Sequence, residues 1–271
     1  METSLFSAAI LGFVQGLTEF IPVSSSGHLV LIREVLHWPD QGVFFDAVLH
    51  LATLAALLIY FWHDWIKMIV SVFAKAPTRV QKIDRRLFWL IVLATVPAVA
   101  LAPWLEPWVE NHFRGLLPIA IVMIVVGVVF WVIDHRVAMK HDLTKLNPAR
   151  AFGIGMAQAL AIIPGVSRSG ATIVTGMYME LQRDSAARFS FLMSAPIIAV
   201  AGGYALYQSI QSGSLNLADY KFWLTAFGAS LVAGLLAIKL LLAFLKRHSL
   251  DVFAYYRVIV GIGLLVFYFL Q

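Results

Sequence analysis

The chain has 271 residues, of which 61% are hydrophobic and 13% charged, with a mean hydropathy of +0.84 and a formal net charge of +5. A soluble domain of this size cannot bury that much apolar surface, so disordered, collagen-like and ordinary cytosolic proteins are excluded and the bilayer is the solvent. Cysteine is absent, which excludes disulfide frameworks, thiolate metal sites and cysteine nucleophiles. The chain opens Met1-Glu2-Thr3 without a basic residue before the first apolar run, so no cleavable signal peptide is expected. The first apolar stretch, 4–36, is broken at its centre by Gln15, Glu19, Pro22, three serines, His28 and Arg33. Spans long enough to cross a hydrocarbon core of roughly 30 Å are expected at about 43–62, 87–105 and 116–133. A second broken stretch, 149–182, carries Gln158, Pro164, Gly165 and Arg168 between serines, and further spans are expected at about 186–208, 221–245 and 252–270.

The two broken stretches read as re-entrant helix hairpins, since a backbone break at membrane depth needs protein or water to satisfy it. Lys67, Lys75, Arg79, Lys82, Arg85 and Arg86 mark the 63–86 linker, and Arg136, Lys140, Lys145 and Arg150 the 134–150 linker. Arg183, Arg188, Lys246 and Arg247 join them on one face, against Arg33, Arg114 and a bordering Lys221 on the other. The basic face is expected to be cytoplasmic, with both termini outside. The basic run 75–86 reads as a topology signal and lipid contact, with no nucleic-acid partner.

At a constant offset of 143 residues, Gly12 meets Gly155, Gln15 meets Gln158, Val23-Ser24 meets Val166-Ser167, and Ser26-Gly27 meets Ser169-Gly170. Phe88-Trp89-Leu90 recurs as Phe222-Trp223-Leu224. The expected architecture is therefore an all-α polytopic membrane protein, a single membrane domain with six transmembrane helices and two re-entrant hairpins. It divides into two inverted-topology repeats, about 1–140 and 149–271, with a polar site where the halves meet.

Each tip has a proline, serines and a glycine ahead of an apolar helix. The proline ends the incoming helix, serine can cap the outgoing one, and glycine lets the backbone approach a ligand. Two helix N-termini and the Arg168 fork suit a phosphate or diphosphate, with Ser24, Ser26, Gly27, Ser167, Ser169, Gly170 and Thr172 as the binding shell. Ser25 is the expected nucleophile, with His28 three residues on as general acid and base; direct attack by His28 is the alternative. Glu19 can orient His28, accept a proton or hold a cation. A structural reading stands beside this one: Glu19 and Arg168 as an ion pair joining the repeats, the serines as helix caps. His50 and Asp46, at helical spacing on one face, fit either site lining or packing. No P-loop, dinucleotide or zinc motif is present.

The runs QGLTEFIPVSSSGH at 15–28 and PGVSRSGAT at 164–172 resemble the two signatures of the undecaprenyl-diphosphatase family of the BacA/UppP bacitracin-resistance type. The similarity extends through FSFLMSAP at 189–196 to the C-terminal spans. The resemblance implies an integral phosphatase of the bacterial plasma membrane that converts undecaprenyl diphosphate to undecaprenyl phosphate and phosphate. That reaction recycles the lipid carrier of cell-wall synthesis, in a pocket facing the extracytoplasmic side. It implies Glu19, Ser25, His28 and Arg168 as the catalytic set and a divalent cation, Mg or Ca, as cofactor. Gln15 matches the first position of a (Glu/Gln)-x-x-x-Glu motif in its amide form, so a metal would rest on Glu19, the diphosphate and water. The expected partners are the polyprenyl diphosphate and membrane lipid, with a homodimer as the one protein assembly considered. The rival class is a secondary transporter or lipid flippase with an anion site at the repeat interface, which needs binding but no nucleophile.

Overall fold

The computed structural model describes residues 4–113, 115–212 and 219–270; Arg114 and the opening Met1-Glu2-Thr3, both used above, lie outside the described residues. The helices in chain order are α1 (Leu5–Phe20), α2 (Ser25–Val35), α3 (Gly42–Tyr60), α4 (Trp62–Phe73), α5 (Arg79–Phe113), α6 (Leu116–Arg136), α7 (Pro148–Leu160), α8 (Arg168–Tyr178), α9 (Arg183–Gln211), α10 (Tyr220–Leu245) and α11 (Asp251–Leu270). A single 3-10 turn at Leu143–Lys145 precedes α7, and no strand occurs among the described residues.

Six helices (α3, α5, α6, α9, α10 and α11) are long and apolar enough to cross a membrane, and each coincides with an expected span. The largest departure is α5, which runs 35 residues and contains Pro97, Pro103 and Pro107. Its first two turns are the basic run expected as linker. Arg85 fastens that end by donating to the carbonyls of Ser71 (2.8 Å) and Ala74 (2.5 Å) at the end of α4. The 63–86 linker is thus mostly helical. The repeat Trp62, Ile66, Ile69, Val70, Phe73 gives α4 an exposed apolar stripe, the pattern of a helix lying at an interface.

The remaining helices, α1, α2, α7 and α8, have 16, 11, 13 and 11 residues. At 1.5 Å per residue none reaches the roughly 30 Å of a hydrocarbon core. α1 packs along α10, and α7 along α5. Both crossings depend on glycine. A Cβ at Gly16 would stand 2.2 Å from the Ser230 carbonyl oxygen, and one at Gly155 would stand 2.3 Å from that of Ala94. Small residues let the backbones meet where lipid supplies no hydrophobic drive between helices. α3 packs on α9, and α6 on α11. The largest core cluster lies beneath the two helix breaks, where Phe20 meets Phe191 edge to face at 5.4 Å.

Candidate active site at the two helix breaks

The breaks at 21–24 and 161–167 have one backbone design. Ser24 and Ser167 sit at φ 76° and 70°, in the left-handed region that costs a non-glycine residue about 1–3 kcal/mol. From there each hydroxyl reaches the N–H three residues on: Ser24 Oγ accepts from Gly27 (3.4 Å) and Ser167 Oγ from Gly170 (3.2 Å). Ser26 and Ser169 bond the same cap oxygens at 3.3 and 3.2 Å. Capping leaves the first N–H groups of α2 and α8 without intrahelical partners, at the positive ends of the two helices.

Between the breaks lies a cavity of about 360 Å³. Its polar wall is Thr18, Glu19, Ser24, Ser25 and Ser26 from the first break and Gln158, Ser167 and Arg168 from the second, with His50 of α3 and Glu106 of α5. Its apolar wall comes from Ala98 and Ala102 of α5 and Ile197, Ile198 and Ala201 of α9.

Glu19 is the centre of the polar wall. Its Oε2 accepts from the Ser25 hydroxyl at 2.6 Å and from Gln15 Nε2 at 2.9 Å, while its Oε1 pairs with a terminal nitrogen of Arg168. The residue is 7% exposed. Glu19 is therefore in direct contact with both Ser25 and Arg168, through its two carboxylate oxygens.

Other expected site residues fall elsewhere. His28 is not on the cavity wall. Its Nδ1–H donates to the Ser24 carbonyl (2.7 Å), which leaves Nε2 to accept the Tyr256 hydroxyl of α11 (2.6 Å), so Glu19 orients Ser25 and not His28. Of the expected phosphate shell, Ser24, Ser26 and Ser167 line the cavity. Gly27, Ser169, Gly170 and Thr172 face the protein interior. A Cβ at Gly170 would meet the Phe130 ring at 2.5 Å, and Thr172 Oγ1 bonds Ser190 at 2.5 Å, so packing fixes these residue types. Gln15 stays behind Glu19 as a donor. Glu19 and Glu106 are the carboxylates on the wall, and Glu19 already accepts three hydrogen bonds. That set alone does not supply the six or more oxygens that a hard divalent cation takes.

Sequence reading passed over Arg257. This residue of α11 is fully buried, donates to the carbonyls of Pro22 (3.3 Å) and Gly165, and lies over the Phe130 ring at 5.1 Å, tying the two breaks together. An arginine inside an apolar span was the available signal. His50, weighed between lining and packing, lines the cavity; its Nδ1 donates to the Asp46 carbonyl at 2.7 Å. Asp46 instead pairs with Arg33 at 3.0 Å.

The family described as bacitracin resistance protein BacA matches residues 8–263. The chain is 41% identical over 267 residues to a protein of Caldicellulosiruptor bescii named undecaprenyl-diphosphatase, covering 98% of each. It is 43% identical over 262 residues to the one of Desulforudis audaxviator, covering 96% of this chain and 97% of that one. A third, from Pelotomaculum thermopropionicum, is 40% identical over 263 residues, 97% of this chain and 96% of that one.

Proposed function

The chain belongs to the bacitracin resistance protein BacA family, and from that membership and the cavity between its helix breaks we propose that it is a membrane phosphatase acting on undecaprenyl diphosphate. The observation that carries the mechanism is the Ser25–Glu19–Arg168 contact. Glu19 Oε2 takes the Ser25 proton as Oγ attacks the terminal phosphorus. The Oγ–P bond forms as the bond to the bridging oxygen breaks, and undecaprenyl phosphate leaves with that oxygen. Glu19 passes that proton to the departing undecaprenyl phosphate. A water then gives a proton to the freed carboxylate and attacks the phosphoserine, the Oγ–P bond breaks to release phosphate, and Glu19 returns its proton to the Ser25 oxygen. Arg168 and the free N–H groups of α2 and α8 stabilise charge on the transferring phosphoryl group. His28 acts as a positioning residue: its bond to the Ser24 carbonyl holds the strained turn that aims Ser25. A divalent cation, Mg or Ca, would arrive with the diphosphate, held by Glu19 and phosphate oxygens, and would neutralise phosphate charge.

The same proposal covers the architecture. α1–α2 and α7–α8 are re-entrant hairpins in two inverted repeats. Their lengths support this, as does the packing, in which α1 on α10 mirrors α7 on α5, while α3 with α9 and α6 with α11 each join a span to its repeat mate. Ala98, Ala102 and Glu106 lie toward the end of α5 remote from its basic start. With the basic face cytoplasmic, the cavity opens outward, and the prenyl chain runs along the apolar wall of α5 and α9 into lipid.

The test is phosphate release from a polyprenyl diphosphate in detergent, where no sealed membrane exists. The wild type should turn over, and Ser25→Ala should lose at least ~10²-fold while Ser24→Ala and Ser26→Ala lose far less. A transporter or flippase would release no phosphate.

A further inference from the structure

Gln158 closes α7 on the cavity wall and is 3% exposed, yet neither its Nε2 nor its Oε1 has a hydrogen-bond partner among the described residues. Its repeat mate Gln15 donates to Glu19 and lies off the wall. The Nε of Arg168, which also lines the cavity, is likewise buried and without a partner among the described residues. Buried polar side chains are normally satisfied, because an unmade bond leaves the desolvation cost uncompensated. Gln158 and Arg168 both line the cavity beside the start of α8, so their three orphaned atoms lack bonds that a bound ligand can supply.

We infer that Gln158 and the Arg168 Nε–H form a second phosphate subsite, which holds the lipid-linked phosphate of the substrate while the terminal phosphate meets Ser25. The inference rests on the phosphatase reading. A diphosphate presents two phosphates, and the attacked one must lie against Ser25, on the first break. The orphaned donors belong to Gln158 and Arg168 of the second break. The Nε2 hydrogens and the Arg168 Nε–H donate to oxygens of the phosphate that stays with the lipid. Oε1 accepts from a water that this phosphate carries, a bridge as usable as a direct bond. The subsite would then read the feature that substrate and lipid product share, and inorganic phosphate lacks: a phosphate bearing an alkyl ester next to the apolar wall of α5 and α9.

The experiment is Gln158→Leu in the full-length protein in detergent micelles. Leucine approximates the shape and removes the orphaned atoms, so thermal stability should hold or rise; a residue kept for structure would lower it. kcat/KM for polyprenyl diphosphate should fall at least tenfold, mainly through KM, which marks lost binding common to ground and transition states. Inhibition by polyprenyl monophosphate should weaken at least tenfold, and inhibition by inorganic phosphate should change less than threefold. Gln158→Glu, which adds charge at the same shape, should weaken the monophosphate further, and Gln158→Met replaces the leucine variant if that fails to accumulate. Unchanged monophosphate inhibition, or a loss confined to inorganic phosphate, overturns the assignment. Failure of the phosphatase reading looks different: the wild type itself releases no phosphate, and direct binding of polyprenyl monophosphate to wild type and Gln158→Leu then decides the subsite.

Discussion

Glu19→Gln separates two roles that the geometry gives one carboxylate. The amide keeps the volume and can still accept from Arg168, but it cannot take the Ser25 proton now held at 2.6 Å. Loss of a positioned base costs about 10²–10⁴ in rate, so turnover should fall by that factor. Arg168 is paired with Glu19 in the free protein, so a phosphate entering the cavity competes with that carboxylate for the guanidinium. Removing the negative charge ends the competition. A hydrogen bond to a charged group is worth about 1.5–3 kcal/mol, so the variant should bind phosphate roughly 10- to 150-fold more tightly. It should also be less stable without ligand, by up to about 3–5 kcal/mol for breaking a buried pair, with phosphate restoring more stability than in the wild type. Phosphate release in detergent gives the rate, and thermal unfolding with and without inorganic phosphate gives the binding. A Gln variant with wild-type turnover, or with weakened phosphate binding, would refute the assignment of Glu19 as base and as competitor for Arg168.

His28→Ala should cut kcat at least tenfold by leaving the Ser24 carbonyl with only the backbone N–H of residue 28 and loosening the turn that aims Ser25, whereas Tyr256→Phe, which leaves the ring bond intact, should cost less. A phosphoenzyme trapped by acid quench should be the acid-stable serine ester; an acid-labile phosphohistidine would move the attack to His28. Gly16→Leu should destabilise the protein by about 1–3 kcal/mol or more, read as a lowered melting temperature, because even a Cβ falls 2.2 Å from the Ser230 carbonyl oxygen. Lys82→Cys, in a chain without native cysteine, should resist impermeant maleimide in intact cells; labelling there reverses the orientation.

Local signals made most of this legible. Twenty-residue apolar runs mark the six long helices, and the clustering of proline, serine and glycine marks both breaks. α4 was equally readable, since Trp62, Ile66, Ile69, Val70 and Phe73 recur at helical spacing, but a count of basic residues treats that segment as linker. What sequence could not give is distant partnership. Spacing put His28 on the face of Ser25, and a hydroxyl 228 positions away on α11 holds its ring elsewhere. Glycine carries a similar ambiguity. In the sequence Gly170 reads as a place for a ligand to approach, and in the fold that space belongs to the Phe130 ring.

At the 143-residue offset, the matched positions and the differing ones do different work. Ser24 and Ser167 match, and both do backbone work, as strained caps of the outgoing helices. The groups in contact at the cavity fall where the halves differ: Glu19 matches Ile162 and Ser25 matches Arg168, while His28, off the cavity wall, matches Ala171. A symmetric pair of turns can bind a phosphate from two sides but gives no direction to the reaction. Direction needs a nucleophile and base on one side and a cation on the other, which is the difference between the two breaks. Gln15 and Gln158 are the same residue in both halves, with different surroundings. Glu19 one turn after Gln15 absorbs its amide, and Ile162 one turn after Gln158 cannot. Replacing a carboxylate by isoleucine in the second half therefore turns an internal hydrogen bond into a group free to meet substrate.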